Sequence, residues 1–184
     1  MANLNVLAPF ILSWEGGYCK IKGDRGGATN KGVTLGTWRK HGYDKNNDGR
    51  IDEKDVMMIT VDDVVEKIMR PVFWNAWKAD SINSQAIANL LVDWLWASGS
   101  YGIRIPQRVL GVKIDGIVGN KTLAAINNYP DQKELFVKLW HEREDFFKRI
   151  GVKEQKKFLN GWLNRLNAIR YDKLICNGGK IITF

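Results

Sequence analysis

The sequence predicts a mainly α protein, a helical bundle with one small loop and β region. Three observations carry that. Apolar residues recur at spacings of three and four along Leu4, Leu7, Ile11 and Trp14. The run Ser84 to Ser98 (SQAIANLLVDWLWAS) is apolar nearly all round, as expected for a helix at the centre of a bundle. Strand-like alternation is confined to short pieces near Tyr18 to Lys22 and Gly32 to Leu35. At 184 residues the chain makes one large or two small domains, and 45% hydrophobic content with eight Trp marks a folded globular chain. Trp enrichment fits carbohydrate handling, although core packing is the role we favour for most of the eight.

The first helix runs to Trp14, with Gly16 or Gly17 as its C-cap. Glu15 therefore sits at a helix end beside an aromatic, with a fixed direction and a partly dry environment. Both push a carboxyl's pKa upward, which a general acid needs at neutral pH. Asp24 follows nine residues later in a turn-rich segment, where Gly23, Gly26 and Gly27 let the backbone bend and approach a ligand. Thr29, Asn30 and Thr34 add neutral hydrogen-bonding groups. Two such carboxylates are the minimum kit for glycoside hydrolysis. Spacing alone leaves the plain alternative open, that Glu15 is a surface residue and Asp24 a turn former.

Leu35 to Lys40 reads as a short helix. The next stretch, DKNNDGRIDEKD from Asp44 to Asp55, is close to a calcium-binding EF-hand loop. Asp44, Asn46 and Asp48 stand at positions 1, 3 and 5, Gly49 at 6, Arg50 at 7 through its carbonyl, Asp52 at 9 and Asp55 at 12. An aspartate at 12 has a shorter reach than the usual glutamate. The same pattern also serves as a turn without metal. Thr60 with Asp63 resembles a capping box opening a helix through Met69 that Pro71 closes. Trp74 and Trp77 are candidates for a sugar-facing wall or for the core. Asp93, inside the apolar helix, is a third acid facing a cleft or, the reading we favour, a structural anchor that must be hydrogen-bonded. From Gly99 the chain changes character, and Asp115, Gly116 and Gly119 supply turn chemistry. Asp131 with Glu134 caps a helix whose face is Phe136, Leu139, Trp140, Arg143 and Phe147. A last helix, about Glu154 to Leu174, shows Phe158, Trp162, Leu166 and Ile169 on one side. His41 and His141 show no partner pattern.

The net charge is +8, and residues 131–184 hold 12 Lys or Arg against 7 Asp or Glu. Anionic wall polymers and nucleic acid would both be attracted, and a solvated basic surface looks the same. Cys19 and Cys176 lack metal-ligand spacing and nothing requires a disulfide, so a reducing compartment is the simpler assumption. The start lacks the basic region and cleavage site of a signal peptide. The longest weakly charged run, Ser81 to Ile103, is interrupted by Asp93 and is not a membrane span.

WEGGY followed by GGATNKGVT resembles the signature of glycoside hydrolase family 108, the N-acetylmuramidases of phage endolysins and related bacterial proteins. PQRVLGVKIDGIVGNKTLAAI is similar to the predicted peptidoglycan-binding domain that follows in that family, and FLNGWLNR is again family-like. The resemblance implies an α+β, lysozyme-like fold with a muramidase segment at 1–98 and a helical peptidoglycan-binding segment at 99–184, packed as one unit. It implies that Glu15 is the catalytic acid cleaving the β-1,4 bond between N-acetylmuramic acid and N-acetylglucosamine. The order of residues also resembles phage lysozymes, which carries the second carboxylate role to Asp24 and a water-holding role to Thr29 or Asn30. Ile21 and Gly23 depart from the more acidic, proline-containing family pattern before GGAT. Tyr18, Asn30, Thr34, Trp74 and Asp93 complete the candidate substrate-binding set. The expected partner is peptidoglycan, with no nucleic acid, no integral membrane segment, and a monomeric chain. No cofactor is expected for catalysis, only a structural calcium. Without a signal peptide the expected location is cytoplasmic until release through a holin pore or host lysis, with action on the wall and a phage or prophage setting. The alternative is a non-catalytic glycan-binding or accessory protein, since some family members carry a "secretion activator" label.

Overall fold

The computed structural model describes residues 1–20 and 27–184. Helix α1, Leu4–Trp14, begins where the Asn3 side chain accepts the Asn5 amide at 2.9 Å, and it buries Leu4, Leu7, Phe10 and Ile11. The chain then forms a bridge between Cys19 and Thr29, and a two-stranded antiparallel hairpin of β1, Thr29–Asn30, and β2, Val33–Thr34. Both turn residues, Lys31 and Gly32, have positive φ (49° and 78°), the requirement of a tight turn matching the strand twist.

Thr34 caps α2, Leu35–His41, by accepting the Thr37 amide. After the Asp44–Asp55 region come α3, Glu53–Met57, and α4, Val61–Asp63. The Thr60–Asp63 capping box is present with both reciprocal bonds. The expected stop at Pro71 is not: α4 continues as a π-helix from Val64 to Trp74 with Pro71 inside it. In an α-helix the proline ring clashes with the carbonyl four residues back. The wider turn, seen in Asn75 donating to the Arg70 carbonyl at 2.9 Å, accommodates it.

Helix α5, Gln85–Ser98, is the axis of the molecule. Every residue from Ala86 to Leu95 is buried, so no face is left for solvent. The π-helix, α6 (Tyr101–Val109) and α8 (Gln132–Ile150) all pack on it. Gly102 permits the α5–α6 corner, because a Cβ there would lie 2.4 Å from the Leu95 nitrogen. The DGIVG turn between α6 and α7 (Asn120–Asn127) is held by the fully buried Gln107. Its amide donates to Asp115 Oδ1 and the Ile117 carbonyl and accepts from the Gly116 N–H.

Helix α9 spans Lys156–Asn167, seven residues short of the expected end. The rest is a second antiparallel hairpin of β3, Lys173–Ile175, and β4, Ile181–Thr183, turned by Gly178 and Gly179 at φ 104° and 90°. Strand β3 packs on α1, so the chain's end returns to its beginning. Cys19 and Cys176 are free thiols, and no helix among the described residues is long and apolar enough to cross a membrane.

Candidate active site

Glu15 is the C-cap residue of α1, with extended backbone, so its side chain leaves the helix axis. Three elements converge on it. Trp96 of α5 donates its indole N–H to Glu15 Oε1 at 2.7 Å, and Arg165 of α9 donates Nη1–H to the same oxygen at 2.8 Å. Gly32, in the first hairpin's turn, closes over Oε2: a Cβ there would stand 2.7 Å from Oε2 and 2.9 Å from Trp96 Cζ2. Only glycine meets both that approach and the positive φ. The turn is itself tied down, with the Lys31 N–H on the Gly16 carbonyl at 3.0 Å and Lys31 Nζ on the Ile59 carbonyl at 3.0 Å.

Behind the acid lies a buried ion network. Arg165 points Nε and Nη2 at Asp93 Oδ1 (3.1 and 2.7 Å), and Arg143 Nη2 donates to Asp93 Oδ2 at 2.8 Å. Asp93 and Arg143 are fully buried. Burial alone would raise the Asp93 carboxyl, but the adjacent Arg165 and Arg143 charges overcome it and hold the group below the usual carboxylate range. The opposite balance reaches Arg143, where burial dominates and lowers its pKa despite Asp93. Arg143 also stacks near the rings of Phe147 (5.2 Å) and Trp94 (5.9 Å). Two of the three N–H groups that Arg165 commits go to Asp93, so Glu15 is not its principal counterion.

Glu15 opens onto a cavity of about 290 Å³ walled by Gly32, Trp96, Arg165 and Trp162 among others. Its side chain is 17% exposed, so the ion pair leaves it within reach of a ligand.

The other expected site residues divide. Asp24 lies outside the described residues. Thr29 is half-buried, its N–H and carbonyl bonded to Cys19 (2.9 and 2.8 Å), and Tyr18, 39% exposed, precedes that bridge. Asn30 is turned inward instead of toward a sugar. It is 3% exposed and its amide donates to the Val56 and Met57 carbonyls at the end of α3. Thr34 is spent as the α2 cap. Trp74 has no exposed surface and donates its indole N–H to Asp80 at 2.8 Å, so it is core rather than a sugar wall. Asp93 is likewise sealed from the cleft and acts as the anchor of the arginine pair.

The Asp44–Asp55 loop is closely hydrogen-bonded within itself. Asp55, fully buried, accepts the Lys45 and Asn46 amides on one oxygen and the Asp52 amide on the other. Asp44 accepts Asp48 and Gly49 amides, Asp48 accepts the Arg50 amide, and Asp52 caps α3 through Lys54. Among the described residues no group of three or more His, Cys, Asp or Glu is placed to hold a metal.

Sequence reasoning missed Arg165, Trp96 and Gly32. Gly32 was marked by its place in NKGVT, but the pairing of Arg165 with Glu15 spans 150 residues and leaves no local pattern.

An acid at a helix end, facing a polar cleft in a mainly helical, lysozyme-like unit, belongs with the glycosidases. The family model for glycosyl hydrolase 108 matches residues 8–99, and the predicted peptidoglycan domain matches residues 101–167. The chain belongs to glycosyl hydrolase family 108, and its role is that of a lysozyme-like, peptidoglycan-directed hydrolase. Among solved structures, Brucella abortus SagA is similar, with a TM-score of 0.71 and 29% identity over 88% of this chain and 87% of that one. No curated protein matches.

Proposed function

We propose that the chain is an N-acetylmuramidase, cleaving the β-1,4 bond between N-acetylmuramic acid and N-acetylglucosamine with Glu15 as general acid. The observation that supports this is the clamp on Glu15 Oε1 by Trp96 and Arg165, which fixes the carboxyl at the mouth of a cavity. Oε2 receives no hydrogen bond from the described residues and is the oxygen we assign to carry the proton. That proton passes to the glycosidic oxygen as its bond to the anomeric carbon breaks, and water adds hydroxide to that carbon while its released proton returns to the enzyme. Asp24 is the proposed partner that positions this water or stabilises the oxocarbenium-like transition state, with Thr29 nearby in the chain to hold it. Substitution Glu15→Gln keeps the shape and removes the proton. Lysis of purified sacculi should then fall by at least about 10²-fold, and near-normal lysis would remove the assignment.

A non-catalytic accessory role is the second reading, and the ion pair of Glu15 with Arg165 is the observation that favours it. It predicts glycan binding with no new reducing ends, which a zymogram on bacterial walls with reducing-end analysis separates.

A further inference from the structure

A second groove of about 240 Å³ adjoins the Glu15 cavity, with Ala97, Phe147 and Trp162 common to both linings and Ser98, Tyr101, Phe146 and Ile150 added. The two differ in chemistry. The first holds the acid and two arginines, whereas the groove has no charged side chain in its lining. Its walls are flat rings in fixed positions: Trp162 lies 5.6 Å from Phe147 and stacks at 6.1 Å and 24° on Phe158, and Tyr101 lies 5.2 Å from Phe146. Tyr101 is 57% exposed and Ile150 39% exposed, so apolar surface is presented to solvent beside the acid.

We propose that this groove is a sugar subsite, taking an N-acetylhexosamine ring of the same strand whose neighbouring bond sits at Glu15. The proposal rests on the glycan reading above and adds to it where the strand runs. A neutral groove lined by rings suits the apolar C–H face and acetamido methyl of such a sugar, and does not suit an anionic polymer. The wall it shares with the Glu15 cavity favours the strand over an unrelated apolar partner. The C-terminal segment thereby supplies, through Trp162 and Ile150, part of the cleft itself.

The test uses the full chain carrying Glu15→Gln, so that binding is read without turnover. The probe is the peptide-free hexamer of N-acetylglucosamine, followed by calorimetry. Adding Tyr101→Ala, a substitution at an exposed position, should weaken hexamer binding on the order of 10-fold, and Tyr101→Phe, which keeps the ring, should restore it. Ile150→Ser should weaken binding in the same direction. Equal affinity with and without the Tyr101 ring overturns the proposal, as does failure of the hexamer to bind or an effect seen only on peptide-bearing wall. Ring-dependent binding in a chain whose wild type releases no reducing ends upholds the subsite while the catalytic reading alone falls.

Discussion

Replacing Asp93 by Asn tests the network that supports Glu15. The amide keeps the shape and removes the charge that two guanidinium groups share. Arg165 retains Glu15 as a partner at 2.8 Å, but Arg143 is fully buried and has no other carboxylate among the described residues. Its Nε and Nη1 already lack hydrogen-bond partners among the described residues. Removing one member of a buried ion pair costs about 3–5 kcal/mol, because it leaves an uncompensated charge out of water. Against a typical total stability of roughly 5–15 kcal/mol, that is about a fifth or more. For a chain of this size about 2–4 °C of melting temperature accompanies each kcal/mol, so the variant should melt about 6–20 °C lower. Calorimetric unfolding at pH 7 measures it. The double variant Asp93→Leu/Arg143→Met removes the charge along with its partner and should recover at least half the loss. A single variant melting within about 2 °C of wild type, on the same scale, would refute the reasoning.

Two further outcomes are expected. Gly32→Ala places a methyl against Glu15 Oε2 and imposes a left-handed backbone that costs about 1–2 kcal/mol. Release of reducing ends should drop by at least about 10-fold, the free-energy equivalent of one such displacement, and an unchanged rate would show that the turn does not position the acid. Asp63, 9% exposed at its side chain, has a carboxyl that burial would raise but that Lys45, Thr60 and Tyr43 hold down at about 2, against 3.8 unfolded. Its contribution, about 2 kcal/mol, is present above pH 3.8 and lost as pH falls toward 2. Urea unfolding at pH 5 and pH 2 should show that loss, and Asp63→Asn should reduce it.

The parts legible in the sequence were those written over a few neighbouring residues. The Thr60–Asp63 box, the Asp131 cap of α8 and the all-apolar α5 follow from spacing and side-chain chemistry alone. So does Glu15 at the end of α1. The last hairpin had a local signal as well, the Asn177–Gly178–Gly179 turn before a β-branched pair, but the helical stripe through Ile169 masked it. What sequence could not show was which way side chains turn once packed. Asn30 beside a catalytic loop looks like a ligand-binding amide, and only the fold shows that the end of α3 needs its two donors. Trp74 offers the same lesson, since an aromatic stripe does not state which face meets solvent.

Arg165 has a consequence for how such chains can be recombined. The acid stands in the first helix and its cation in the ninth, so the two family segments are not interchangeable cassettes. A graft that joined this hydrolase half to a foreign C-terminal half would strip the carboxylate of its Arg165 donor and leave buried Asp93 without either of its two guanidinium partners, unless the newcomer offered both at the same spots.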